Sequence, residues 1–146
     1  CRPMAEVMQQ LGAEHIMVVH GDDGLDEISL ATHTHVAELK DGEIREYKIS
    51  PEDLGIDSQS LIGLVVDTSD ESLALIRKAL GNSDEPVARK AAAMVALNAG
   101  AAIYLSGQAD SHKAGVAQAM DAIQSGAALA KMDQLATFCR QLEQGK

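Results

Sequence analysis

Four carboxylates fall within six residues in the segment Val18-Val19-His20-Gly21-Asp22-Asp23-Gly24-Leu25-Asp26-Glu27-Ile28-Ser29, directly after a strand-like apolar run. Like charges this close repel: at about 5 Å and an effective dielectric near 20, one pair costs roughly 3 kcal/mol. A chain tolerates that when water solvates the loop or when a cation sits in it. The adjacent pair Asp26-Glu27 is the part best suited to a cation. On a helix, neighbouring side chains point about 100° apart and chelate poorly, whereas in a loop both can converge. Hard oxygen ligands, completed by water and substrate phosphate, describe a Mg²⁺ site. On composition alone a solvated acidic loop and a metal site both stay open. Asp22 and Asp23 are better suited to shaping the turn through side-chain to backbone hydrogen bonds. His20, at the strand's end, reads as a structural or supporting residue.

Other groups carry less chemistry. His33-Thr34-His35 places two imidazoles together, but an isolated His-x-His lacks the further ligands of a zinc site, and surface histidines are expected. Asn98, in an apolar helix, reads as a satisfied polar group that pins helix packing. There is no Gly-rich phosphate loop of the dinucleotide or Walker type, no nucleophile elbow and no Cys/His zinc spacing.

The elements that must position the acidic loop follow from pattern and punctuation. Met4, Val7, Met8 and Leu11 repeat at helical spacing between Pro3 and Gly12. Ile16-Met17-Val18-Val19 is a short continuous apolar run, the pattern of a strand covered on both faces. The acidic loop then follows the strand's C-terminal end, where open α/β sheets place ligands. Thr34–Leu39 and Glu43–Ile49 read as strands joined at Asp41-Gly42, a hairpin signal. Ser50-Pro51-Glu52-Asp53 starts a short helical turn ending near Gly55. Thr68-Ser69-Asp70-Glu71 caps a helix with Leu73, Ile76 and Leu80 on its stripe, ended by Gly81. Asp84-Glu85-Pro86 opens another. From Ala91 to Leu105 that helix is apolar nearly all round, so it should be central and buried, with Gly107 stopping it. Asp110-Ser111 caps the last helical region, and Ser125-Gly126 breaks it. Met132, Leu135, Ala136 and Cys139 form a final stripe. The Met and Leu stripes are expected to be core.

At 146 residues and 46% apolar content the chain is the size of one domain. Its net charge of −10 speaks against nucleic acid or an anionic membrane as a general partner, while a bound divalent cation would still admit phosphates. Cys1 and Cys139 form no spaced motif, which fits a reducing cytoplasm. No signal peptide or membrane-spanning run is apparent. One core strand plus a hairpin makes a poor sheet for so many helices, so an α/β chain with an incomplete sheet is expected.

A series of blocks runs through nearly the whole chain. It comprises Arg2-Pro3-Met4-Ala5 with Leu11-Gly12, Val18-Val19-His20-Gly21, and Asp23-Gly24-Leu25-Asp26-Glu27-Ile28-Ser29. Next come Thr34-x-Val36-Ala37-Glu38-Leu39 with Asp41-Gly42, and Pro51-Glu52-Asp53-Leu54-Gly55. Leu97-Asn98-Ala99-Gly100-Ala101-Ala102-Ile103-Tyr104 and Ser125-Gly126 close it. The order and content resemble the C-terminal portion of the anthranilate phosphoribosyltransferase family, from Arg2 to about Leu142.

The resemblance implies a fold and an activity. The fold is the distal part of a phosphoribosyltransferase/nucleoside-phosphorylase-like α/β domain, with residues 1–146 its C-terminal part. The family's N-terminal helical domain and the first part of its α/β domain would lie outside this chain. The activity is transfer of phosphoribosyl from phosphoribosyl pyrophosphate to anthranilate in tryptophan biosynthesis, in a cytoplasmic homodimer. Asp26 and Glu27 match the family's Mg²⁺-binding pair. The family's Gly-rich phosphate loop, Lys-His-Gly loop and anthranilate-binding Arg have no counterpart here, so this segment alone is expected to be inactive. The segment Ile62-Gly63-Leu64-Val65-Val66-Asp67 departs from the family's Gly-Gly pattern, away from the metal pair. Two alternatives are another enzyme of the superfamily, such as a pyrimidine nucleoside phosphorylase, and a non-catalytic nucleic-acid-binding paralogue.

Overall fold

A computed structural model describes residues 1–144. The element order is α1 (Arg2–Gln10), β1 (Ile16–Gly21), β2 (Thr34–Lys40), β3 (Glu43–Ile49), a single 3₁₀ turn (Pro51–Leu54), α2 (Ser69–Leu80), α3 (Pro86–Leu105), α4 (His112–Gln124) and α5 (Ala127–Gln144). The three strands form one antiparallel sheet in the order β1-β2-β3. Val18 lies opposite Ala37, and Ala37 lies opposite Glu46. The fold is an α/β arrangement with an incomplete sheet, as the sequence leads one to expect.

The local signals work as their chemistry dictates. Asp41 and Gly42 both take positive φ, 52° and 79°, the two-residue turn whose twist matches the flanking strands. The Thr68 hydroxyl accepts from the Glu71 amide, and the Ser111 hydroxyl from the Ala114 amide, so α2 and α4 begin where a polar side chain satisfies an otherwise free N–H. Between α4 and α5, Gly126 turns the chain with φ 77°.

The sheet is covered on both faces. Met17, Val19 and Ile49 pack on the helical core, which α3 supplies with Ala92, Ala93, Ala96, Leu97 and Ala101 and α4 with Val116, Ala119 and Ile123. Strand alternation turns Val18 and Ala37 the other way, toward α1, which contacts all three strands. Glu38 ties the sheet to the end of α3. Its carboxylate accepts from the hydroxyls of Tyr47 and Tyr104, each at 2.8 Å, and lies 3.0 Å from His15 Nε2. Burial works to raise the Glu38 carboxyl, but the donors His15, Tyr104 and Tyr47 together outweigh it and hold the group below its ordinary value.

Two expectations are corrected. The strand covered on both faces is β2, which buries Thr34, Val36, Ala37 and Leu39; β1 is only half-buried, because it stands at the sheet's edge. The Met and Leu stripes of α1 and α5 are not core, and on α2 Leu73 and Ile76 are exposed as well. Met4 is 62% exposed, Leu11 75% and Leu135 60%. The reason is visible in α1. Its contact with the sheet runs through Arg2, bonded to Glu46, the fully buried Ala5, and Gln9, bonded to the Gly42 carbonyl. That row leaves the larger apolar side chains pointing away.

Helix α3 is central, with Ala88, Ala92, Ala93, Ala96, Leu97, Gly100 and Ala101 buried, while Met94, Val95, Asn98 and Ala99 are only partly covered. It meets α4 at a close crossing where Gly100 faces Gly115: a Cβ on Gly115 would strike the Gly100 carbonyl oxygen, a backbone atom that cannot turn aside. Gly115→Ala in the full-length protein is therefore expected to lower stability by about 1–3 kcal/mol. Urea denaturation midpoints check this, with unchanged secondary structure by circular dichroism as the control.

Candidate metal centre

The acidic loop leaves β1 at Gly21 and returns to β2 at Thr34. Its opening is a tight, self-bonded turn. The Gly21 amide donates to the Leu25 carbonyl (2.8 Å), and the Gly24 amide to the Gly21 carbonyl (3.0 Å). Asp23 fills the inside of this turn. Its Oδ2 accepts from the Ser29 hydroxyl at 2.6 Å, and its Oδ1 from the Leu25 amide at 3.3 Å. Gly21 must be glycine for this, since a Cβ there would collide with Asp23 Oδ1 and crowd Ser29 Cβ at 3.3 Å.

Asp22 points outward and makes tertiary bonds. Its two oxygens meet His35 Nε2 at 2.7 Å and Lys48 Nζ at 3.2 Å, on β2 and β3. The hydrogen bond from His35, and then that from Lys48, pulls the Asp22 carboxyl below its ordinary value. The turn-shaping role read for the first two aspartates thus fits Asp23 closely, while Asp22 latches the loop to the sheet. His35 is correspondingly more than a surface histidine. His33 and His20 are exposed.

Past Glu27 the chain dives inward. Ile28, Ser29 and Leu30 are buried, without a ladder or helix to satisfy their backbone groups. Side chains do that instead. Asn98 of α3 accepts from the Ile28 amide (2.9 Å) and donates to the Ile28 carbonyl (3.0 Å) and to the Met94 carbonyl (3.1 Å). The Thr34 hydroxyl accepts from the Ser29 amide, and the Ser29 hydroxyl from the Ala31 amide. Asn98 is satisfied, as expected of a polar group in an apolar helix. What it pins is the loop, however, because its amide lies on the α3 face toward Ile28. Ser29 and Thr34 are supporting residues that the sequence did not single out, and Asn98 was singled out for helix packing and not for the loop. Nothing in their types or spacing shows that residues 70 apart share a hydrogen bond.

Asp26 and Glu27 sit between these two anchored stretches and are both exposed. Of the loop's four carboxylates, Asp22 and Asp23 make described hydrogen bonds or ion pairs, and Asp26 and Glu27 make none. Among the described residues no three His, Cys, Asp or Glu side chains converge as a metal-ligand group. Two free carboxylates with no third protein ligand do not suit zinc, which takes a closed or nearly closed protein set. They do suit Mg²⁺, which keeps several waters and is shared with substrate phosphates. Glu27 also borders an open hollow with Met94, Val95, Asn98 and Ala99.

A glycosyl transferase family model, described as its a/b domain, matches residues 1–129. This chain belongs to that family. Among its relatives in the glycosyl transferase family, the anthranilate phosphoribosyltransferase of Marinobacter nauticus is 67% identical over 138 residues, covering 94% of this chain and 40% of that protein. The Acinetobacter baylyi enzyme of the same name is 58% identical over 144 residues, covering 99% and 41%. The solved anthranilate phosphoribosyltransferase from Thermus thermophilus superposes with a TM-score of 0.82 at 35% identity, over 95% of this chain and 40% of that one. A Saccharomyces cerevisiae structure, solved in complex with PRPP and Mg, shares the fold at TM-score 0.68 and 21% identity, covering 82% and 33%. The chain spans about 40% of the length of the curated relatives it matches.

The electrostatic latch is directly measurable. Folding lowers the Asp22 pKa, so what its carboxylate contributes to stability is complete above the unfolded value and fades as pH falls through the folded one. In an NMR titration the Asp22 side-chain carboxyl is expected to titrate below the ordinary 3.8. His35→Gln should move the midpoint upward, because its first cause is the His35 hydrogen bond.

Proposed function

We propose that this chain carries the Mg²⁺-binding loop of an anthranilate phosphoribosyltransferase, with Asp26 and Glu27 as the metal ligands. One observation carries the reading: of the loop's four carboxylates, the two with no described protein partner are the adjacent pair, held between two anchored stretches of loop. The 67% identity to a relative of that name supports the choice of enzyme over a nucleoside phosphorylase. The net charge of −10 and the open acidic pair favour an enzyme over a nucleic-acid-binding paralogue.

In this reading the substrates are phosphoribosyl pyrophosphate and anthranilate, and the step belongs to tryptophan biosynthesis. Bound Mg²⁺ supplies charge neutralisation of the pyrophosphate leaving group. The chain's own residues do the positioning. Asp23 and Ser29 shape the turn, Asp22 latches it to the sheet, and the exposed Asp26 and Glu27 present oxygens to solvent and ligand. The groups that grip phosphoribosyl and anthranilate belong to the remainder of the full-length enzyme, which works as a cytoplasmic homodimer. No helix among the described residues is long and apolar enough to cross a membrane.

Two outcomes test this. In the full-length enzyme, Glu27→Gln is expected to lower kcat and to raise the Mg²⁺ concentration needed for half-maximal rate; an unchanged Mg²⁺ dependence would count against the assignment. The isolated 146 residues are expected to show no turnover of phosphoribosyl pyrophosphate with anthranilate, and steady-state product formation by them would overturn that expectation.

A further inference from the structure

We propose that Asn98 is a positioning residue for the Asp26-Glu27 pair, acting through the backbone of Ile28. The proposal rests on reading that pair as the Mg²⁺ site.

Peptide units are planar and rigid, so a hydrogen bond to one polar group of a unit restrains the unit as a whole. The Leu25 carbonyl is held by the Gly21 amide at 2.8 Å, which fixes the unit entering Asp26. The Ile28 amide is held by Asn98 Oδ1 at 2.9 Å, which fixes the unit leaving Glu27. Between them only the φ and ψ angles of Asp26 and Glu27 remain free to turn. Asn98 also holds the next unit, through Nδ2 to the Ile28 carbonyl at 3.0 Å. Asn98 is itself fixed, because the same nitrogen reaches the Met94 carbonyl one turn back at 3.1 Å. One side chain therefore transmits the rigidity of the buried helix α3 to the exposed carboxylates. Its neighbour Leu97 is fully buried, which ties this turn of α3 into the core.

A merely structural Asn98 would affect folding alone. A positioning Asn98 affects how well two carboxylates hold one cation. The separating measurement is the apparent Mg²⁺ activation constant of the full-length enzyme, taken with kcat at saturating Mg²⁺ and with the urea midpoint. Asn98→Asp keeps the volume and one acceptor while losing both donations; it is expected to raise the Mg²⁺ constant about tenfold, as removal of groups that orient metal ligands does. Asn98→Ala should do the same or more. Ile123→Val, a core trim in the last turn of α4, is the control: it should lower the urea midpoint and leave the Mg²⁺ constant unchanged.

A folded Asn98 variant with a wild-type Mg²⁺ constant would overturn the proposal. Should both variants fail to fold, amide hydrogen exchange on the wild-type enzyme decides. The Ile28 amide must be strongly protected while those of Asp26 and Glu27 exchange fast, and an unprotected Ile28 amide refutes the clamp. The two readings fail separately. If Glu27→Gln leaves the Mg²⁺ dependence unchanged, the metal assignment falls; if Glu27→Gln shifts it and folded Asn98 variants do not, only the role of Asn98 falls.

Discussion

The passage of residues 28–30 through the interior without a strand or helix constrains everything around it. Buried backbone N–H and C=O groups must be paired, and each one left unmade costs about 1–3 kcal/mol. Here the partners are the side chains of Asn98, Thr34 and Ser29, with the Gln59 amide taking the Leu30 carbonyl. They come from α3, the start of β2 and the loop itself. Those elements must therefore hold fixed relative positions before the loop can be buried. The alanine-rich face of α3 and the Gly100–Gly115 approach give α3 its place, because small side chains let helix backbones close up.

The four carboxylates of the loop have divided their work. Asp23 is absorbed into the turn by a hydroxyl and an amide, and Asp22 is paired with His35 and Lys48. Partnering spreads their charge and removes them as free ligands. Asp26 and Glu27 keep theirs, side by side and open to solvent. In the proposed reading a bound Mg²⁺ would relieve the repulsion of that pair, and the loop is anchored on either side of it by the Gly21–Leu25 and Asn98–Ile28 hydrogen bonds.

The apolar surface has its own logic. α1 lies on the sheet through Arg2, Ala5 and Gln9, and turns Met4, Val7, Met8 and Leu11 outward. α5 does likewise with Leu135, Phe138 and Leu142, and β1 has an unpaired edge among the described strands. Ile62 and Val65, before α2, and Leu73 and Ile76 on it are exposed as well. In contrast, the face toward α3 and α4 is closed and well packed.

The sequence by itself determined where most elements begin and end. Pro3, Asp41-Gly42, Thr68, Ser111 and Gly126 act locally, and local chemistry needs no tertiary context. It also determined that α3 is central, since a helix apolar on every side has no face for water. The residues of the acidic loop and the separate standing of Asp26-Glu27 were likewise legible, because charge density and adjacency are written in the chain. Only the tertiary structure decided which stripes are covered, for an amphipathic pattern names a face without naming what lies against it. It alone decided that β1 takes an edge and β2 the centre. And it alone joined Asn98 to Ile28, across 70 residues, because a hydrogen bond between distant positions depends on where two backbones arrive in space and on nothing that either segment displays alone.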